Sequence, residues 1–170
     1  MTNYKFCPNC KEELSKEEEK IYCKNCGFTN YFDVAACSSA IPVKDNKVLI
    51  AVRGVDPFKG TFDLVGGFIK QGESAEEGIL REVKEETGLT VQIEKYFGSY
   101  PDTYGEDDKP VLGITFVVKI ISGELKAQDD VAELVWIEIK DIPKLKFSGF
   151  KNVETTLMDF YRLFGRGAEN

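Results

Sequence analysis

Residues 66–89, GGFIKQGESAEEGILREVKEETGL, constrain the fold more than any other stretch of the chain. Ser74 and Glu77 are spaced as a capping box, in which each side chain satisfies a backbone N–H that a helix start leaves free. Gly88 suits the left-handed residue just past a helix end. The spacing therefore predicts a helix over 74–87, entered from a glycine-rich loop over 66–72. Ala75, Ile79 and Val83 recur in steps of four and form its buried stripe. At about 100° per residue, Glu82 and Glu86 fall beside that stripe and Glu85 a little further round. Three carboxylates thus stand at the edge of the core.

A charge run on a helix is usually a solvated face, with a lysine four residues beyond each acid. Here those positions, 86 and 89, are Glu and Leu. Acids crowded beside a core raise one another's pKa and oppose folding, and a divalent cation reverses both effects. Carboxylate oxygens alone suit Mg²⁺ or Mn²⁺, with other positions left to water and substrate phosphates. Gly66 and Gly67 let the backbone pass close to such a site.

Four of the five cysteines form Cys7-Pro-Asn-Cys10 and Cys23-Lys-Asn-Cys26, twelve residues apart. Two tight turns offering two thiolates each make a tetrahedral zinc shell. The alternative, a pair of disulfides, requires an oxidising compartment. The segment between the pairs is too charged to build a core, so residues 1–32 read as a zinc ribbon held by its metal. Its lysines are offset by Glu12, Glu13, Glu17, Glu18 and Glu19, which favours a structural or dimer-forming role over nucleic-acid binding. Cys37, in apolar surroundings, reads as a core residue.

The remaining 33–170 has the composition of one globular domain. Strands are expected over 34–43, 47–52, 61–65, 91–100, 111–121 and 134–139. An amphipathic helix is expected over 148–164, with Phe150, Val153, Leu157, Phe160, Tyr161 and Phe164 on one side. Strands with helices on both faces give an α/β sandwich. No apolar run reaches the roughly 18 residues that cross a bilayer, and the N-terminus lacks the pattern of a secretory signal, so a cytoplasmic protein is expected. A net charge of −7 disfavours nucleic acid and anionic lipid as partners. The absence of histidine removes His-based triads and leaves acid–base chemistry to carboxylates, Lys, Tyr or Cys.

Gly67, then Glu73, then Arg81-Glu82-Val83-Lys84-Glu85-Glu86-Thr87-Gly88-Leu89, resembles the Nudix hydrolase signature with every defining position filled. Ala51-Val52-Arg53 with the stretch 60–67 is similar to the strand and loop before that box. The stretch 111–143, with Trp136, is similar to the sheet that completes the fold. Together with the ribbon, the chain resembles the zinc-ribbon Nudix branch that includes NADH pyrophosphatases.

The resemblance implies an α/β/α sandwich with a mixed sheet and hydrolysis of a nucleoside diphosphate linked to a second moiety. It implies Glu82, Glu85 and Glu86 as ligands of Mg²⁺ or Mn²⁺ and Glu73 with Arg81 as a supporting ion pair. The base that activates water varies in the family between a box glutamate and an acid in a later loop, here Asp129, Asp130 or Glu133. Arg53 is the expected phosphate contact. Phe58, Phe62, Tyr100 and Tyr104 are candidates for stacking on a base. Two departures stand out. Residues 98–108, GSYPDTYGEDD, only partly echo the NADH pyrophosphatase motif, and Val65 replaces a common proline. The acids over 102–108 disfavour a triphosphate and favour a diphosphate diester such as ADP-ribose or a dinucleotide such as NADH. Alternatives are a triphosphate pyrophosphohydrolase, a non-catalytic nucleotide sensor, an RNA-decapping enzyme and a zinc-ribbon adaptor. A homodimer is a further expectation from the family.

Overall fold

A computed structural model describes residues 4–105, 108–147 and 149–165. The expected helix start at residue 148 and the acids at 106 and 107 lie outside the described residues.

The chain begins with three short antiparallel strands, β1 (Ser15–Lys16), β2 (Lys20–Tyr22) and β3 (Thr29–Tyr31). A second sheet of seven strands follows: β4 (Ala35–Lys44), β5 (Lys47–Arg53), β6 (Phe62–Asp63), β7 (Val65–Phe68), β8 (Leu89–Tyr104), β9 (Lys109–Gly123) and β10 (Val131–Glu138). Its main order is β10-β5-β4-β9-β8, with β6 added to β5 and β7 to β4. The sheet is mixed. β4 runs parallel to β9 from Ala35↔Val111 to Val43↔Lys119, and its other pairings are antiparallel.

Strand alternation sorts the apolar residues onto two faces. Ala40, Leu49, Ala51, Phe116 and Val118 point to one side, where α1 (Ala75–Thr87) buries Ile79 and Val83. Ile41, Val48, Ile50 and Val117 point to the other, where α2 (Lys151–Phe164) buries Val153, Leu157 and Phe160. A 3₁₀ turn over Ile139–Lys144 closes that second layer. The result is the α/β/α sandwich with a mixed sheet expected from the sequence.

Three details differ from expectation. The glycine pair is not loop: Gly66 and Gly67 lie in β7, paired with Ser39 and Ser38. β8 continues four residues past Tyr100, because as the edge strand it tolerates Pro101, which has no N–H to give. The second helix has Phe150 as its N-cap rather than on its buried stripe. Among the described residues, no helix is long and apolar enough to cross a membrane.

Candidate active site

α1 forms as its sequence dictates. The Ser74 hydroxyl accepts from the Glu77 N–H, the Glu77 carboxylate accepts from the Ser74 N–H, and Gly88 closes the helix with φ 71°. Glu86 is only 4% exposed. The Gly66 N–H donates to its Oε2 at 2.8 Å. Burial pushes the Glu86 carboxyl up to about 9; the Gly66 N–H opposes the rise, and the charges of Asp130 and Glu82 add to it. Glu82 stands against Gly67, where a Cβ would lie 2.6 Å from Oε1. Gly66 has φ 150°, and a Cβ there would collide with the Ser38 carbonyl of β4. Neither position takes a side chain without moving an acid or a strand.

Arg81 gathers the remaining acids. Its Nε and Nη2 donate to Glu73 at 2.6 and 2.9 Å, and its Nη1 donates to Glu82 at 2.7 Å and Glu85 at 2.9 Å. Nη2 also donates to the Phe68 carbonyl at 3.2 Å. This guanidinium, with the Lys70 N–H, holds the Glu73 carboxyl well below the usual range, at about 2. Glu85 is the most exposed of the four acids, with Lys70 at 3.8 Å.

A cleft of about 150 Å³ opens beside these residues, walled by Gly66 and Gly67 and crossed by Asp130. Asp130 sits in the loop before β10 and faces Glu86. Beside it on β5, Arg53 donates through Nε to the Pro57 carbonyl at 2.7 Å and through Nη1 to Asp63 Oδ2 at 2.6 Å. Burial pushes the Asp63 carboxyl up, and the hydrogen bond and charge of Arg53 pull it back. The Phe150 ring covers the Arg53 guanidinium at 5.1 Å. Tyr104 stacks on Phe150 at 5.6 Å, with the rings 17° from parallel, and meets Phe68 edge-on at 5.3 Å.

Of the site residues read from sequence, Arg53, Gly66, Gly67, Tyr104 and Asp130 line this cleft, and Glu82 and Glu86 stand directly behind its glycine rim. Phe62, Tyr100 and Glu133 do not line it. Phe62 packs on the α2 side of the core. Tyr100 stacks on Phe97 and turns its hydroxyl toward Asp159; burial, then the charge of Asp159, push that hydroxyl up to about 12. Glu133 is exposed on β10 opposite Val52. Phe58 touches Phe150 edge-on at 5.0 Å. Asp63, Phe150 and Asn152 also line the cleft; none of them has a site role in the sequence reading, which places Phe150 on the apolar side of the second helix. Asp63 and Phe150 carry no motif, and Asn152 is one polar residue in a helix read for its apolar stripe.

At the N-terminus the four thiols of Cys7, Cys10, Cys23 and Cys26 lie within 4.8 Å of one another. Cys7 and Cys26 Sγ are 3.5 Å apart, and Cys10 and Cys23 Sγ are 3.4 Å apart. Zn–S bonds of about 2.3 Å in a tetrahedron place sulfurs roughly 3.8 Å apart, so this cluster can hold zinc. The Glu12 N–H, followed by the Cys23 thiol, lowers the Cys10 thiol to about 6. At Cys26, by contrast, the Phe28 N–H is outweighed by the Cys7 thiol, burial and the other thiols, which raise it to about 12.

An α/β/α sandwich whose strand–helix box presents these glutamates on a glycine-rimmed cleft is that of a Nudix hydrolase. The NUDIX domain family matches residues 35–156, and the chain belongs to that family. The chain is 40% identical over 124 residues to the ADP-ribose pyrophosphatase of Methanocaldococcus jannaschii, covering 73% of each protein. It is 29% identical over 161 residues to the NAD-capped RNA hydrolase NudC of Pseudomonas fluorescens. That match takes in 93% of this chain and 56% of NudC, so the chain spans about half the length of the NudC relatives. A crystal structure of a NUDIX hydrolase from Nitrosomonas europaea shares the fold, with TM-score 0.76 over 96% of this chain and 94% of that one, at 23% identity.

Proposed function

We propose that the chain hydrolyses the pyrophosphate linkage of a nucleoside diphosphate joined to a second moiety, with ADP-ribose or a dinucleotide such as NADH as substrate. The observation that carries this reading is the asymmetry of the cleft. Among the described residues, Glu86 and Asp130 meet with no cation paired to either, and Arg53, on β5 beside the Asp130 loop, is the one cation that lines the cleft.

Although among the described residues only the four cysteine sulfurs converge to ligand distance, and the carboxylates would have to close on an ion, the acid side has the donor chemistry of a divalent-cation site. Its donors are all carboxylate oxygens, and the upward push on Glu86 is the burden a cation relieves. Glu82, Glu85 and Glu86 would hold Mg²⁺ or Mn²⁺. When bound, the ion neutralises charge on the pyrophosphate and lowers the pKa of water. The chain's own residues do the rest. Glu73 fixes Arg81, and Arg81 fixes Glu82 and Glu85. Arg53, anchored by Asp63 and Pro57, binds phosphate through the donors it has left. Of the later-loop acids, Asp130 rather than Glu133 lines the cleft, which supports it as the acid that takes a proton from the attacking water. The relative named for ADP-ribose, similar over 73% of both chains, supports the substrate class.

We further propose that residues 1–32 are a structural zinc ribbon and 33–170 the hydrolase domain. A second reading, cleavage at the NAD-linked end of RNA, has the support of the NudC likeness, which takes in 93% of this chain and therefore at least part of the ribbon.

The test is product release from ADP-ribose, NADH, FAD, nucleoside triphosphates and NAD-capped RNA, with Mg²⁺ or Mn²⁺, for wild type and Glu85→Gln. Cleavage of one diphosphate diester, lost in the variant, is the expected result. Preferential cleavage of the RNA selects the second reading. Nucleotide binding with no cleavage of any substrate contradicts both.

A further inference from the structure

Asn152 lines the α2 side of the cleft from the first turn of α2. Its backbone N–H donates to the Asp102 carboxylate at 2.9 Å, which anchors the residue without using its side chain. The amide packs over Gly113 of β9, where an added Cβ would stand 3.2 Å from Nδ2, so the strand leaves just enough space for it. Its Oδ1 is buried and has no hydrogen-bond partner among the described residues. A buried amide oxygen without a donor opposes folding, and an apolar side chain of the same size would remove that penalty. Tyr104 and Phe150 line the same cleft. An aromatic wall takes the face of a ring, and an amide oxygen takes an N–H on its edge.

Building on the hydrolase reading above, we infer that Asn152 is a specificity-determining residue that accepts a hydrogen bond from an N–H on the edge of the ligand's ring. Two groups supply that chemistry in the proposed substrates: the exocyclic amine of adenine and the carboxamide of nicotinamide. A ring without such a donor leaves the amide oxygen unpaired in the complex, and the site rejects it.

Calorimetric binding to the full chain tests this with two ligand pairs. One pair is AMP and its analogue lacking the 6-amino group. The other is nicotinamide mononucleotide and its nicotinic acid counterpart. Wild type is expected to bind the N–H-bearing member of at least one pair about ten-fold more tightly. Asn152→Leu is expected to bind both members of that pair equally, with a melting temperature no lower than wild type. Asn152→Ala gives the same comparison if leucine does not fit. The pair that discriminates identifies the ring.

Equal binding within both pairs by wild type, or a preference that survives in both variants, overturns the inference. Loss of hydrolysis is separate: selective binding by wild type without cleavage of any diester defeats the hydrolase reading and leaves the assignment of Asn152 standing.

Discussion

The two helices flank one cleft and are built in opposite ways. α1 carries its own instructions: its cap, its stop and its buried stripe all lie within fifteen residues. α2 has no side-chain cap of its own, and Asp102, fifty residues earlier in the chain, accepts from the N–H of Asn152 instead. The α1 side presents acids fixed by local sequence. The α2 side presents Phe150 and Asn152, placed by tertiary contact. The comparison teaches that the acids of this site are placed by local sequence, and Phe150 and Asn152, which the proposals above give to recognition, by tertiary contact.

The largest effect is expected at the Arg53–Asp63 pair. Arg53→Met strands the buried Asp63 carboxylate and should cost about 3 kcal/mol in chemical unfolding. Adding Asp63→Leu should recover most of that loss, as two apolar residues replace a pair rather than orphan one charge.

The helix caps sharpen the contrast more finely. Ser74→Ala and Asp102→Ala should each cost about 1 kcal/mol of stability. Only Asp102→Ala should also raise KM, because it loosens the turn that carries Asn152. Equal KM effects from the two would erase the proposed distinction between the walls.

The smallest effect is in acid. Glu73 is depressed from a usual value near 4.5 to about 2 by Arg81. Its contribution is therefore present above about 4.5 and lost as pH falls toward 2. Thermal melting of Glu73→Gln should lie below wild type at pH 6, with the difference shrinking as pH falls.

Legibility in the sequence follows the same division. The Ser74–Glu77 box and Gly88 locate α1 within one residue, and the cysteine spacing brings four sulfurs together. Looking four residues beyond each acid finds no lysine, yet the helix does supply a cation: Arg81 precedes Glu85 by four and bridges three carboxylates. A forward search misses it because the pairing is reversed along the helix. Strand propensity locates β4 and β5 within one residue, but β8 outruns its expected end because an edge strand's tolerance of Pro101 depends on where it sits in the sheet. Tyr100 and Tyr104 look alike in sequence. Only the register of β8 places Tyr104 in the cleft and Tyr100 against Phe97. Asp63 reaches the cleft from β6, and Phe150 and Asn152 from the start of α2; no short-range pattern joins the two places.

The most direct measurement is steady-state hydrolysis of ADP-ribose with Mg²⁺ by wild type, Glu86→Gln and Phe150→Ala. Glu86→Gln, which removes a proposed metal ligand, should lower kcat by about 10³ while ADP-ribose still binds. Phe150→Ala should raise KM about ten-fold, from the lost stacking on Tyr104 and Arg53, with kcat changed little. A Glu86→Gln enzyme that keeps its kcat, or a Phe150→Ala enzyme that loses kcat at unchanged KM, would contradict the division of chemistry and recognition between the two walls.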